Sequence, residues 1–227
     1  MFEFFAPMPP QVAWARYRPE LAAYAQTPVN YDLAHVRIYA PPPPGWRHDE
    51  HATPLPPELP GPPAAAGSFA AGQQVLWHYT FPPPQLIRGY FDPGQPLAQR
   101  IMLLRARFLG FVFHFGVRIV DVVDETRLLP GGGTEQVWGY GYRTLAGHFE
   151  EGQINFSLHK NLTTGAVEFR IESVSRMAPI RNPFYWLGFT LFGRTLQRRF
   201  ASQTLARMRQ LVAQELTQPQ TMPVPRG

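Results

Sequence analysis

The chain has 227 residues, 44% of them hydrophobic, and a formal net charge of +5, enough apolar material to build one real core. It contains no cysteine, so neither a disulfide framework nor a thiolate metal site is available, and a reducing, cytoplasmic setting is expected. No run reaches the ~18 apolar residues that span a bilayer, and the opening MFEFFAPMPP has neither the basic start nor the long apolar core of a secretory signal, so a soluble chain is expected.

Of the 26 prolines, 15 fall in residues 1–66, which predicts a largely irregular N-terminal arm over 1–66, a folded domain over 67–217 and a tail over 218–227. Within the arm, residues 19–26 suit a short helix with Pro19 in its first turn. Val36, Ile38 and Ala40 alternate as one edge strand would, until Pro41 to Pro44 stop any ladder. His48, Asp49, Glu50 and His51 are all metal-ligand types, but they stand in proline-rich loop with nothing to fix a coordination geometry, so no metal is expected.

From residue 74 the pattern changes. Residues 75–81 read as the first core strand, 85–90 as a turn or two of helix, and 100–109 and 111–123 as two strands around Gly110. The second strand places Phe111, Phe113, Phe115, Val117 and Ile119 on one face. Residues 124–136, with Pro130 and three glycines, read as a loop, and Gly131 to Gly133 lack the lysine and helix of a phosphate cradle.

Residues 137–176 carry the strongest signal. Trp138, Tyr140, Tyr142 and Thr144 share one strand face, while Gly139, Gly141 and Arg143 share the other. Glycines repeated inside a strand mark a bend or the close approach of another backbone. Ile154, Phe156 and Leu158, then Val167, Phe169 and Ile171, alternate with polar residues on either side of a loop at 161–165, an antiparallel hairpin with one buried face. Asn182 and Pro183 make an N-cap and first residue for a helix running to about residue 216. On it Leu196, Phe200, Leu205, Met208, Leu211, Val212 and Leu216 recur at helical spacing, with arginines elsewhere.

Lys160 is the only lysine, and residues 181–227 hold seven arginines against Glu215 alone. Such a basic helix face is ordinarily solvated, and no recognised motif accompanies it, so no nucleic-acid partner is expected.

Strand, short helix, a run of antiparallel strands and a long amphipathic helix predict an α+β helix-grip fold, a curved sheet wrapped around the C-terminal helix. In this order the chain resembles the START-like, polyketide-cyclase-like superfamily, and within it a domain-of-unknown-function family. The residues that carry the resemblance are Pro44, Gly45, Trp46 and Arg47, then Val123, Asp124 and Glu125. The central motif Y-x-T-L-x-G-H-x-E-x-G follows as Tyr142, Thr144, Leu145, Gly147, His148, Glu150 and Gly152, with Ser175 and Arg176 and a terminal Arg194, Gln197 and Arg198. Phe149, Gln153 and Met177 stand where that family often has proline, an acid and proline.

The resemblance implies an apolar small-molecule ligand, without a cofactor, in a cavity between sheet and helix. Candidate lining residues are Trp138, Tyr140, Tyr142, Phe113 and Phe115, with His148 and Arg176 as polar contacts. Tyr142, His148, Glu150 or Glu151 and Arg176 supply the group types of general acid–base work, so a cyclase- or dehydratase-type enzyme is one alternative. His148 also reads as a turn residue fixing its loop, and Arg176 as the ion-pair partner of Glu172 or Glu150. Ser175 has no nucleophile elbow. The other alternative is docking on a membrane surface or protein partner through 181–199, where Phe184, Tyr185, Trp186, Phe189 and Phe192 lie beside Arg181 and Arg194.

Overall fold

The computed structural model describes residues 13–32, 36, 38, 41–108, 110–179 and 183–217, with backbone alone for 108, 183–194 and 196. Seven strands form one antiparallel sheet in the order β1-β7-β6-β5-β4-β3-β2. They are β1 Arg47–Leu55, β2 Ile87–Tyr90, β3 Ile101–Phe108, β4 Phe111–Leu128, β5 Thr134–Thr144, β6 Glu150–Asn161 and β7 Val167–Met177. Helix α1 (Arg18–Ala25) packs on β3 and β4, while α2 (Ser68–Trp77) and the 35-residue α3 (Pro183–Thr217) pack on each other and against the sheet. This is the α+β helix-grip arrangement.

The expected face alternation holds in the central strands. Phe156, Leu158, Val167, Phe169 and Ile171 are buried in one core with Trp138, Tyr140 and Tyr142, and Met208 and Val212 of α3 close it from the other side. Four expectations need correction. Residues 47–55, read as arm, are an edge strand paired with β7 from Arg47↔Ser175 to Leu55↔Val167. Pro54 is tolerated because an edge strand has one side free of ladder bonds. Residues 87–90, read as a helical turn, are the opposite edge strand. The expected loop over 124–136 shrinks, because β4 runs on to Leu128 through a bulge between Val120 and Val123 and pairs with β5 to Thr134. The edge strand expected over 30–40 falls mostly on residues outside the described ones; Val29 makes a single bridge to Leu145.

The fourth correction is α2, where a strand was expected over 75–81. Phe69, Gly72, Val75 and Leu76 share its buried face, a helical spacing. A Cβ on Gly72 would lie 2.8 Å from Leu158 and 3.4 Å from Met208, so the bare position lets sheet and α3 close on the helix. Its C-terminus is a Schellman motif: the Tyr79 N–H bonds the Leu76 carbonyl at 3.0 Å and the Thr80 N–H the Val75 carbonyl at 3.2 Å. Tyr79 takes the left-handed conformation (φ 52°) usually left to glycine; its ring, 5% exposed and 5.1 Å from Phe81, offsets that strain by burial. Arg100 then donates to the Trp77 carbonyl at 2.8 Å, with its guanidinium over Phe91 and Trp77, a cation at the negative helix end.

The glycines of β5 mark close approach, as expected. A Cβ on Gly139 would fall 2.2 Å from the Phe156 carbonyl oxygen and 2.8 Å from the Ser157 Cα, both backbone atoms held in the sheet. A Cβ on Gly141 would instead meet the Asn155 side-chain oxygen at 2.0 Å, and a side-chain end can swing away. Gly139→Ala is therefore expected to cost about 3 kcal/mol or more, the upper end of overpacking penalties, and Gly141→Ala less than half as much. Urea denaturation of the two variants checks the ranking; equal midpoints would contradict it.

Candidate functional site

Between the concave side of the sheet and α3 lies a cavity of about 210 Å³, just under the ~300 Å³ at the small end of ligand pockets. Leu104, Phe113, Phe115, Phe149, Ile154 and Ile171 supply its apolar wall, and Asp49, Tyr142, His148, Glu150 and Gln197 its polar side. Phe149 packs edge-on against Phe113 and Phe115, each at 5.0 Å between ring centres.

The polar side is built by the segment where β5 and β6 part. Thr144 donates to Asn30 Oδ1 at 2.6 Å and accepts the Gly152 N–H at 2.9 Å, while Asn30 Nδ2 donates to the Glu150 carbonyl at 2.9 Å. Gly147, at φ 92°, turns the chain, and the His148 N–H closes back on the Leu145 carbonyl at 3.1 Å. His148 Nδ1 accepts the Glu150 N–H at 2.9 Å, and its ring lies 4.5 Å from that of Phe115. The turn-fixing role is thus real, and it leaves the other ring nitrogen for the cavity.

Burial pushes the His148 imidazole down to about 4, so the ring is neutral at pH 7. The residue is half-buried and lines the cavity. Burial raises the Glu150 carboxyl, the nearby Asp49 charge raises it further, and a hydrogen bond from Gln197 Nε2 of α3 opposes both. Burial likewise holds Tyr142 up at about 12. The Tyr142 and Tyr79 rings are 6.4 Å apart; their hydroxyls interact electrostatically, but the Tyr79 hydroxyl lacks a partner with hydrogen-bond geometry.

Of the predicted site residues, Phe113, Phe115, Tyr142 and His148 meet at this cavity. Trp138 and Tyr140 do not: both are packed core, the Tyr140 hydroxyl donating to the Leu76 carbonyl at 2.8 Å under α2. Arg176 points away from the cavity, bonding Glu151 through Nε and lying 4.9 Å over the Trp46 ring. It pairs with Glu151, then, where Glu172 or Glu150 was expected. The residues missed are Asp49, from the edge strand read as arm, and Gln197, which the terminal motif contained without a role. Phe184, Tyr185, Trp186, Phe189, Phe192, Arg181 and Arg194 have side chains outside the described residues.

Among the described residues no three His, Asp or Glu side chains come close enough to hold a metal ion, although Asp49, His51, His148 and Glu150 all line the cavity. No described helix is long and apolar enough to cross a membrane. On the outer face of the sheet, Ser157 Oγ lies 3.0 Å from His159 Nε2, and His159 Nδ1 3.1 Å from Glu135 Oε2. That order matches a nucleophile–base–acid array, but β5 and β6 are interior strands, so their amides serve the ladder and do not form an oxyanion hole.

A domain of unknown function (DUF1990) matches residues 16–207. No curated protein matches the sequence. Among solved structures, the chain is similar to Ara h 8.0201 at 12% identity, covering 75% of this chain and 99% of that one with a TM-score of 0.44. Norcoclaurine synthase of Thalictrum flavum aligns at 10% identity over 76% and 94% of the two chains, TM-score 0.43. The Zhui aromatase/cyclase of Streptomyces aligns at 13% over 76% and 94%, TM-score 0.41.

Proposed function

The chain belongs to the DUF1990 family, and from that premise we propose that it binds a compact, mostly apolar small molecule in the cavity between sheet and C-terminal helix. One observation carries this reading. The residues of the sequence motifs, drawn from separate stretches of chain, gather on one hollow: Tyr142, Thr144, His148, Glu150, Ser175 and Gln197 all line it. A fold needs no such convergence to be stable; a binding site does. The wall has the composition of a ligand pocket, aromatic and aliphatic with a few polar groups on one side.

Native mass spectrometry of the full chain purified under mild conditions is expected to show a non-covalent adduct that organic extraction removes. A clean apo mass, together with no thermal shift in a screen of small aromatic and aliphatic compounds, would overturn the proposal. A cyclase- or dehydratase-type reaction is the second reading, favoured by a phenol, a neutral imidazole and a carboxyl around one apolar cavity. Turnover of the extracted compound by the protein would separate catalyst from carrier.

A further inference from the structure

We infer that the molecule held in this cavity presents a hydroxyl group to His148 and Glu150, making its class an apolar skeleton that carries one oxygen able both to donate and to accept. The inference rests on the binding proposal above and names the ligand that would satisfy it.

His148 Nδ1 accepts the Glu150 N–H at 2.9 Å, and a neutral imidazole whose Nδ1 accepts carries its proton on Nε2. That Nε2–H has no hydrogen-bond partner among the described residues. Glu150 Oε1 takes the Gln197 amide, and Oε2 has no partner among the described residues either. Among the described residues, the polar side-chain atoms sealed away without a partner belong to Tyr79, Arg100 and Thr204. His148 Nε2 and Glu150 Oε2 are not among them, so neither is a sealed, partnerless atom, and both residues line the cavity.

The lining of one cavity thus includes a residue with a spare donor and, two residues on, one with a spare acceptor, together with Phe113, Phe115 and Phe149. An anion is disfavoured at this point because it would face the Glu150 carboxylate and an imidazole that burial keeps neutral. An ether oxygen accepts from Nε2–H but leaves Glu150 Oε2 desolvated and unmatched, and a hydrocarbon leaves both unmatched. A hydroxyl accepts from Nε2–H while its own hydrogen goes to Oε2. The preference for a hydroxyl over an ether belongs to ionised Glu150; protonated, its Oε2–H would be met by any oxygen with two lone pairs.

The test titrates the full-length protein at pH 7 with naphthalene, 2-naphthol and 2-methoxynaphthalene, following ligand fluorescence. Naphthol is expected to bind about tenfold or more tightly than naphthalene, as two additional hydrogen bonds imply, with methoxynaphthalene no tighter than the hydrocarbon. His148→Phe, which keeps a ring against Phe115, and Glu150→Leu should each remove the naphthol advantage while naphthalene still binds, which also shows that the variants fold. If naphthalene binds and naphthol gains nothing, the inference fails and the binding proposal stands. A naphthol advantage that survives in both variants overturns the assignment to this pair. No binding of any of the three would overturn the inference along with the binding proposal.

Discussion

Lys160→Ala is expected to lower the stability of the fold by about 3 kcal/mol. Lys160 donates to Glu58 Oε2 at 2.6 Å and to the Pro62 carbonyl at 2.9 Å, with side chains 1% and 5% exposed. The Glu58 carboxylate also takes the Ala64 N–H at 3.0 Å and the Phe69 N–H at 2.8 Å. It therefore sits at the start of α2, where a negative charge is favoured. Removing the ammonium leaves this carboxylate covered and short of its cation. Breaking a buried pair costs ~3–5 kcal/mol, and the low end applies because Glu58 lies only just beneath the surface. In a chain of this size the melting temperature should fall by roughly 6–12 °C.

Lys160→Met combined with Glu58→Gln should lie closer to wild type than Lys160→Ala, because no buried charge is then left alone. If the double variant is the less stable of the two, the ionic account is wrong. Burial alone would raise the Glu58 carboxyl, but the Ala64 and Phe69 N–H groups and Lys160 outweigh it and hold the group below its ordinary value. A carboxyl depressed on folding contributes stability above its unfolded value and loses it as pH falls through the folded one. Wild type should therefore lose stability in acid below the ordinary carboxylate range, more steeply than the double variant does.

The central hairpin was legible in the sequence because each of its strands has one face on the core, so Phe156, Leu158, Phe169 and Ile171 print a period of two. Strand β1 was not. RHDEHATPL buries only Thr53 and Leu55 well, and its other inward positions, Asp49 and His51, are polar, so its alternation of burial is not one of hydrophobicity. Helix α2 was obscured because Gly72 interrupts its apolar face where the sheet needs room. At the site, parity along β5 correctly grouped Trp138, Tyr140 and Tyr142 on one face. Parity says nothing about position along a strand, however, and at ~3.4 Å per residue Tyr140 falls beneath α2 and Trp138 in packed core while Tyr142 reaches the hollow. Asp49 and Gln197 come to Glu150 only through long-range pairing of β1 with β7 and docking of α3, which local patterns do not encode.

The heaviest loss of all is expected at Phe156. It is 0% exposed, with ring centres of Phe81 at 4.8 Å, Tyr142 at 5.7 Å, Tyr140 at 6.2 Å and Phe169 at 6.5 Å. Phe156→Ala removes the ring around which these four pack. The strands on either side are held by their ladders and cannot collapse inward, so the void persists and the cost should reach the upper part of ~3–5 kcal/mol. Because Tyr142 is both a neighbour of Phe156 and a wall of the cavity, the same variant should bind naphthalene more weakly. Phe113→Ala makes the informative contrast. That ring is only half-buried and lines the cavity directly, so its removal should cost well under half as much stability while enlarging the hollow to admit a bulkier aromatic that wild type excludes. Chemical denaturation and probe titration of the pair would then separate core from binding wall; an equal loss of stability in both variants would mean that the cavity is simply part of the core.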